Sequence, residues 1–118
     1  MIKNILPVLS SNDIKRDLEW YKNKLGCRHT FGNPESGYVG LALEQISFHL
    51  QWHQGDANDP INASVVKIFV TDIRTIYNDL IERKIITEIQ FNLNTGWNTH
   101  EIGLFDLNNN AIYFVEEI

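Results

Sequence analysis

The chain has 118 residues, 43% of them hydrophobic and 21% charged, with one cysteine and a formal net charge of -5. Domains run to roughly 100–200 residues and this composition is ordinary for a globular chain, so two full-sized domains and disorder throughout are both excluded. A lone Cys27 cannot form an internal disulfide, and no run approaches the roughly 18 apolar residues of a membrane helix.

The start, Met1 to Pro7, lacks the apolar stretch of a signal peptide, so a cytoplasmic protein is expected. No basic face is visible, which argues against a nucleic-acid partner, and the acidic balance favours cationic ligands.

In chain order, an apolar segment with strand character ends at Leu9-Ser10-Ser11. Asp13 then opens a helical pattern in which Ile14, Leu18, Tyr21 and Leu25 form one apolar stripe. Asp13 suits the N-cap, because a carboxylate accepts the free N–H groups of a first turn, and Gly26 suits the stop, because it tolerates a left-handed backbone. Strands are expected at about 27–32, 37–43 and 45–52, with a turn at Asn33-Pro34-Glu35-Ser36-Gly37. The polar, turn-rich stretch 55–60 reads as part of a linker.

Half the chain length after the first cap, Ile68-Phe69-Val70-Thr71-Asp72-Ile73 repeats the same pattern. Asp72 caps a second helix with a stripe of Ile73, Ile76, Tyr77, Leu80 and Ile81. Strands are expected at about 87–92, 99–106 and 111–117, with a turn at Asn108-Asn109-Asn110. Each half reads strand–helix–strand–strand–strand and is short enough to be marginal alone. The expected architecture is α+β: tandem βαβββ modules, about 1–54 and 63–118 with a linker at about 55–62, joined in one domain whose mixed sheets form a concave cup.

These features resemble the vicinal oxygen chelate superfamily of glyoxalases, bleomycin-resistance proteins and extradiol dioxygenases. The resemblance rests on Leu6-Pro7-Val8-Leu9, Asp13, Trp20-Tyr21, Leu25-Gly26 and Val70-Thr71-Asp72. It extends to the closing turn Phe105 to Asn110, where Asp106 and Asn110 match the family's first Asp and last Asn. Phe31-Gly32, Ile46 to Leu50, Trp97 and Glu101 resemble the bleomycin-resistance proteins in particular. That resemblance implies a homodimer which sequesters a drug in grooves at the subunit interface, without chemistry and without a cofactor. Pro7 resembles the hinge at which N-terminal arms are exchanged between such subunits, and an ordinary proline at a strand edge explains it equally well.

Enzymes of the superfamily hold a divalent metal at four strand positions, which the resemblance carries onto Leu6, His49, Val65 and Tyr113. Aliphatic side chains offer no lone pair and one histidine is too few, so no metal is expected there. His49 and His53 share a face of an extended strand, with Asp56 nearby. A metal-dependent glyoxalase- or dioxygenase-like enzyme with relocated ligands, drawn from His49, His53 and Glu101, is therefore the alternative. A regulatory or scaffold protein without a small ligand is a third reading. His29 and His100 stand isolated, Cys27 reads as a small core residue, and neither a nucleophile elbow nor a phosphate loop is present, so no catalytic residue is assigned.

Aromatic residues carry the positive signal. The expected ligand-binding residues are Phe31, Tyr38, His49, Trp52, Trp97 and Tyr113, and the expected partner is a cationic, aromatic small molecule. Alternation places Phe48, Leu50 and Trp52 toward the helix and Ser47, His49 and Gln51 on the open face, with Trp52 at the strand's end still within reach of the groove. Trp97, in the polar loop 94–99, serves either binding or anchorage of its loop. A cationic tail would meet Glu35, Glu44, Asp56 or Asp59.

Overall fold

A computed structural model describes residues 1–85 and 89–118. The elements in chain order are β1 (Val8–Ser11), α1 (Ile14–Leu25), β2 (Arg28–Phe31), β3 (Tyr38–Leu43), β4 (Ile46–Trp52), β5 (Val65–Phe69), α2 (Ile73–Glu82), β6 (Gln90–Asn92), β7 (Thr99–Phe105) and β8 (Ala111–Glu117). Of the expected strand at 87–92, residues 87 and 88 lie outside the described residues, residue 89 is not strand, and β6 covers the rest. The chain divides into two compact units, Met1–Ala63 and Ser64–Ile118. Both have the α+β, βαβββ order that the repeat predicted. Among the described residues, no helix is long and apolar enough to cross a membrane.

In the first unit, the Asp13 carboxylate accepts the Arg16 N–H at 3.1 Å and starts α1. Gly26 ends the helix with φ 76°, a left-handed turn that returns its N–H to the Tyr21 carbonyl. Ile14, Leu18, Tyr21 and Leu25 are all buried, as the stripe required. So are Trp20 and Asp17; the Asp17 carboxylate is held by the Ser11 hydroxyl and by the Arg16 guanidinium at 2.9 Å. The sheet runs β1-β4-β3-β2, with β1 parallel to β4 and the other pairs antiparallel. Leu9, Val39, Leu41, Phe48 and Leu50 are buried on the alternate positions that face α1, and the Tyr21 and Phe48 rings meet edge to face at 5.4 Å.

The stretch expected as a linker is hydrogen-bonded to this first unit. Asp59 takes the His53 ring at 2.7 Å and the Gln54 N–H at 2.8 Å, and Ser10 Oγ donates to the Asn62 carbonyl at 3.3 Å.

In the second unit, Asp72 accepts the Thr75 N–H at 3.3 Å and the Thr75 hydroxyl at 2.7 Å. Glu116 of β8 accepts the Ile73 N–H at 2.9 Å, so the start of α2 is also tied to its sheet. Ile73 and Leu80 are buried, and Tyr77 packs on Phe91 at 4.9 Å. Ile81, expected within the core stripe, is 53% exposed. It sits in the last turn of the helix, at the edge of the stripe.

The sheet runs β5-β8-β7-β6, with β5 parallel to β8. The closing turn is held by Asp106, whose carboxylate accepts the Asn108 N–H at 2.8 Å, the Asn110 N–H at 2.9 Å and the Asn110 amide at 2.8 Å.

Candidate functional site

Each sheet buries one face under its own helix and carries candidate site residues on the other. In the first unit, the register Phe31↔Gly40↔His49↔Val8 forms one row across β2, β3, β4 and β1. Gly40 contributes no side chain, so the rings on either side of it meet. Phe31 and His49 lie edge to face at 4.8 Å, and a Cβ at Gly40 would fall 2.2 Å from Phe31 Cε1. Two residues along β3, on the same face, Tyr38 lies 5.2 Å from the His49 ring and 6.3 Å from that of Phe31. The Tyr38 hydroxyl and His49 Nδ1 share a hydrogen bond of 2.8 Å, which fixes the imidazole while Phe31 stays 48% exposed.

Phe31, Tyr38 and His49, three of the residues singled out from sequence, therefore form one patch. Trp52 does not join it. Alternation does place Trp52 on the α1 side with Phe48 and Leu50, but it ends β4 and is 41% exposed. Its indole N–H donates to the Asn12 carbonyl at 3.2 Å.

In the second unit, the row Lys67↔Tyr113↔Gly103↔Gln90 repeats the ring-beside-glycine arrangement. A Cβ at Gly103 would stand 2.7 Å from Tyr113 Cε1. Beside this row, Glu101 is buried on β7. Its Oε2 accepts the Trp97 indole N–H and the Thr99 hydroxyl, each at 2.6 Å, and its Oε1 lies 3.8 Å from the Lys67 ammonium. Thr99, Trp97 and then Lys67 hold its carboxyl below the usual glutamate range, despite burial acting the other way.

The Lys67 ammonium stands 5.9 Å from the Trp97 ring centroid and 5.7 Å from that of Tyr113, within cation–π reach of both. The loop carrying Trp97 is itself fixed: the Thr95 N–H donates to the Thr99 carbonyl at 2.9 Å, and the Asn94 N–H to His100 Nδ1 at 3.1 Å. Trp97 is thus both anchored through its N–H and 65% exposed on its ring.

Lys67 and Thr99 were given no role from sequence. Lys67 was legible in principle, since it is the one charge in an apolar strand and falls opposite Val66 and Ile68 in the alternation. Thr99 was not, because its contact with Glu101 depends on the bend of the preceding loop.

The metal positions carried over by resemblance do not lie side by side in the sheets. The residue beside His49 is Val8, not Leu6, which precedes β1; the residue beside Tyr113 is Lys67, not Val65, which pairs with Ala111. Neither pair fits a divalent ion, since valine has no lone pair and an ammonium repels a cation. His49 and His53 are not brought together with Asp56 either, as His49 is bound to Tyr38 and His53 to Asp59. Among the described residues, no three His, Cys, Asp or Glu side chains group so as to hold a metal.

Of the remaining candidates, Cys27 is buried, His29 contacts the Phe31 and Gly32 carbonyls, and His100 serves the Trp97 loop.

No protein-family model and no curated protein matches the sequence. Solved structures do. A bleomycin resistance determinant encoded on the transposon Tn5 is similar at 16% identity and a TM-score of 0.83, over 98% of this chain and 98% of that one. A bleomycin-binding protein complexed with bleomycin is similar at 16% identity and a TM-score of 0.82, over 99% of this chain and 100% of that one. A glyoxalase/bleomycin resistance protein/dioxygenase from Nocardioides is similar at 17% identity and a TM-score of 0.75, over 100% of this chain and 86% of that one. With its tandem βαβββ units and these likenesses along its whole length, the chain has the fold of the glyoxalase, bleomycin-resistance and dioxygenase proteins.

Proposed function

We propose that this chain is a binding protein: a homodimer that holds a planar aromatic small molecule of the bleomycin type and sequesters it, with no metal and no reaction of its own. The observation that carries this reading is the pair of rigidly held, exposed aromatic patches on sheet faces turned away from the helices. Phe31 is 48% exposed beside the hydrogen-bonded Tyr38–His49 pair, and Trp97 is 65% exposed with its indole tied to a buried carboxylate.

Such surfaces suit stacking, which contributes about 0.5–1.5 kcal/mol per ring pair beyond burial. Their rigidity spares a ligand the entropy of ordering them. Solved neighbours of the same fold include a protein complexed with bleomycin, which supports the ligand class. Of the acidic residues considered for a cationic tail, Asp59 is engaged by His53 and Asp56 by the Asn58 and Asp59 N–H groups, which leaves Glu35 and Glu44.

The test is a tryptophan-fluorescence titration with metal-free bleomycin at two salt concentrations, alongside sedimentation velocity. Saturable quenching at one drug per subunit, weakened by salt, on a species of twice the chain mass is expected. A flat titration to high micromolar drug would overturn the ligand assignment, and a monomer would overturn the dimer.

A further inference from the structure

The second unit presents a cation on its open face, where the acidic composition of the chain had suggested an attraction for cations. Glu101 is not available to a ligand: it is buried, and its two oxygens face Trp97, Thr99 and Lys67. What remains exposed is the Trp97 ring and the Lys67 side chain, 45% of whose surface is open. The ammonium lies 3.8 Å from Glu101, longer than a strong charged hydrogen bond, and at the outer edge of cation–π reach from two rings. An ammonium has three N–H donors, and these partners do not saturate them.

We infer that Lys67, framed by Trp97 and Tyr113, is the specificity-determining residue for this chain's ligand, donating to a carbonyl-type oxygen borne on a planar aromatic ring. The ring stacks on Trp97 while the oxygen takes up the free Lys67 donors. Glu101 acts as the positioning residue, orienting indole and ammonium together and offsetting the lysine's charge. An amide or a carboxylate oxygen fits this geometry; a ligand ammonium at the same place faces Lys67 and is repelled. The inference deepens the ligand-binding reading above by naming what the second unit selects.

The test measures calorimetric affinities of the full chain for three probes of one shape: 2-naphthamide, 2-naphthoate and (2-naphthyl)methylammonium. Wild type is expected to bind the amide and carboxylate about tenfold more tightly than the ammonium, the effect of one charged hydrogen bond. Their order separates a neutral from an anionic oxygen. Lys67→Met should erase the preference, with the ammonium probe gaining; Lys67→Arg should restore it.

The inference is overturned if the ammonium probe binds best to wild type, if Lys67→Met leaves the order unchanged, or if no probe binds at millimolar concentration. Should Lys67→Met not fold, the wild-type order alone decides. Bleomycin binding without this probe preference would sink the inference and spare the proposed function. A Lys67-dependent preference without bleomycin binding would do the reverse.

Discussion

Glu101 shows how much one side chain organises. A carboxylate buried without partners would be neutralised or expelled, yet here indole, hydroxyl and ammonium converge on it and keep it ionised. Its removal should loosen Trp97 by taking away the acceptor of the indole N–H, while the Thr99 hydroxyl keeps Thr95 Oγ1 at 2.6 Å. Glu101→Ala is expected to lower stability by about 2 kcal/mol in urea unfolding, with tryptophan emission shifted to longer wavelength. An unchanged emission spectrum would mean that the Trp97 indole is not held by this carboxylate in solution. The Tyr38–His49 pair works at the same scale: one hydrogen bond fixes the face that the imidazole turns to its surroundings.

At the scale of elements, the two central strands each spare a glycine where a ring must lie down. Gly40 of β3 lies under the Phe31 ring, and Gly103 of β7 under the Tyr113 ring. Gly40→Ala places a methyl group inside the Phe31 ring, which must swing off the sheet. The expected result is an overpacking cost of about 1–3 kcal/mol and a loss of aromatic-ligand affinity, read by thermal melting and calorimetry on the same variant. Undiminished affinity would show that Phe31 does not contact the ligand. The helices depend on their caps. Asp72→Ala removes acceptors for both the N–H and the hydroxyl of Thr75 and should cost about 1 kcal/mol in urea unfolding.

At the scale of the whole molecule, several carboxylates share one electrostatic habit. Asp59 is held below its ordinary value first by the His53 ring, and Asp72 first by the Thr75 hydroxyl. Glu101 is held down by Thr99, Trp97 and Lys67. A carboxyl with a depressed value in the folded chain stabilises it above the unfolded value, and that contribution disappears as pH falls through the folded one. The urea midpoint should therefore be flat near neutrality and fall once pH drops below the ordinary carboxylate range. Glu101→Gln should make that acid decline shallower; an equally steep decline would remove Glu101 from the linkage.

The sequence by itself determined the local structure. The stripes of Ile14 to Leu25 and Ile73 to Leu80, the aspartate caps, Gly26 and the alternation in β4 each depend on neighbours within a few residues, and all were legible there. The repeat of the pattern was enough to give tandem βαβββ units, and Phe31, Tyr38 and His49, which the structure brings together, could be named.

What only the tertiary structure decided was register and contact between strands distant in sequence. Pairing of β1 with β4 and of β5 with β8 set Val8 beside His49 and Lys67 beside Tyr113, two residues away from the positions that resemblance suggested. The same packing left Trp52 at the exposed end of its strand and joined residues 53–62 to the first unit. Strand periodicity says which face a residue takes but not which residue lies opposite, because register is settled by side chains packing across the sheet.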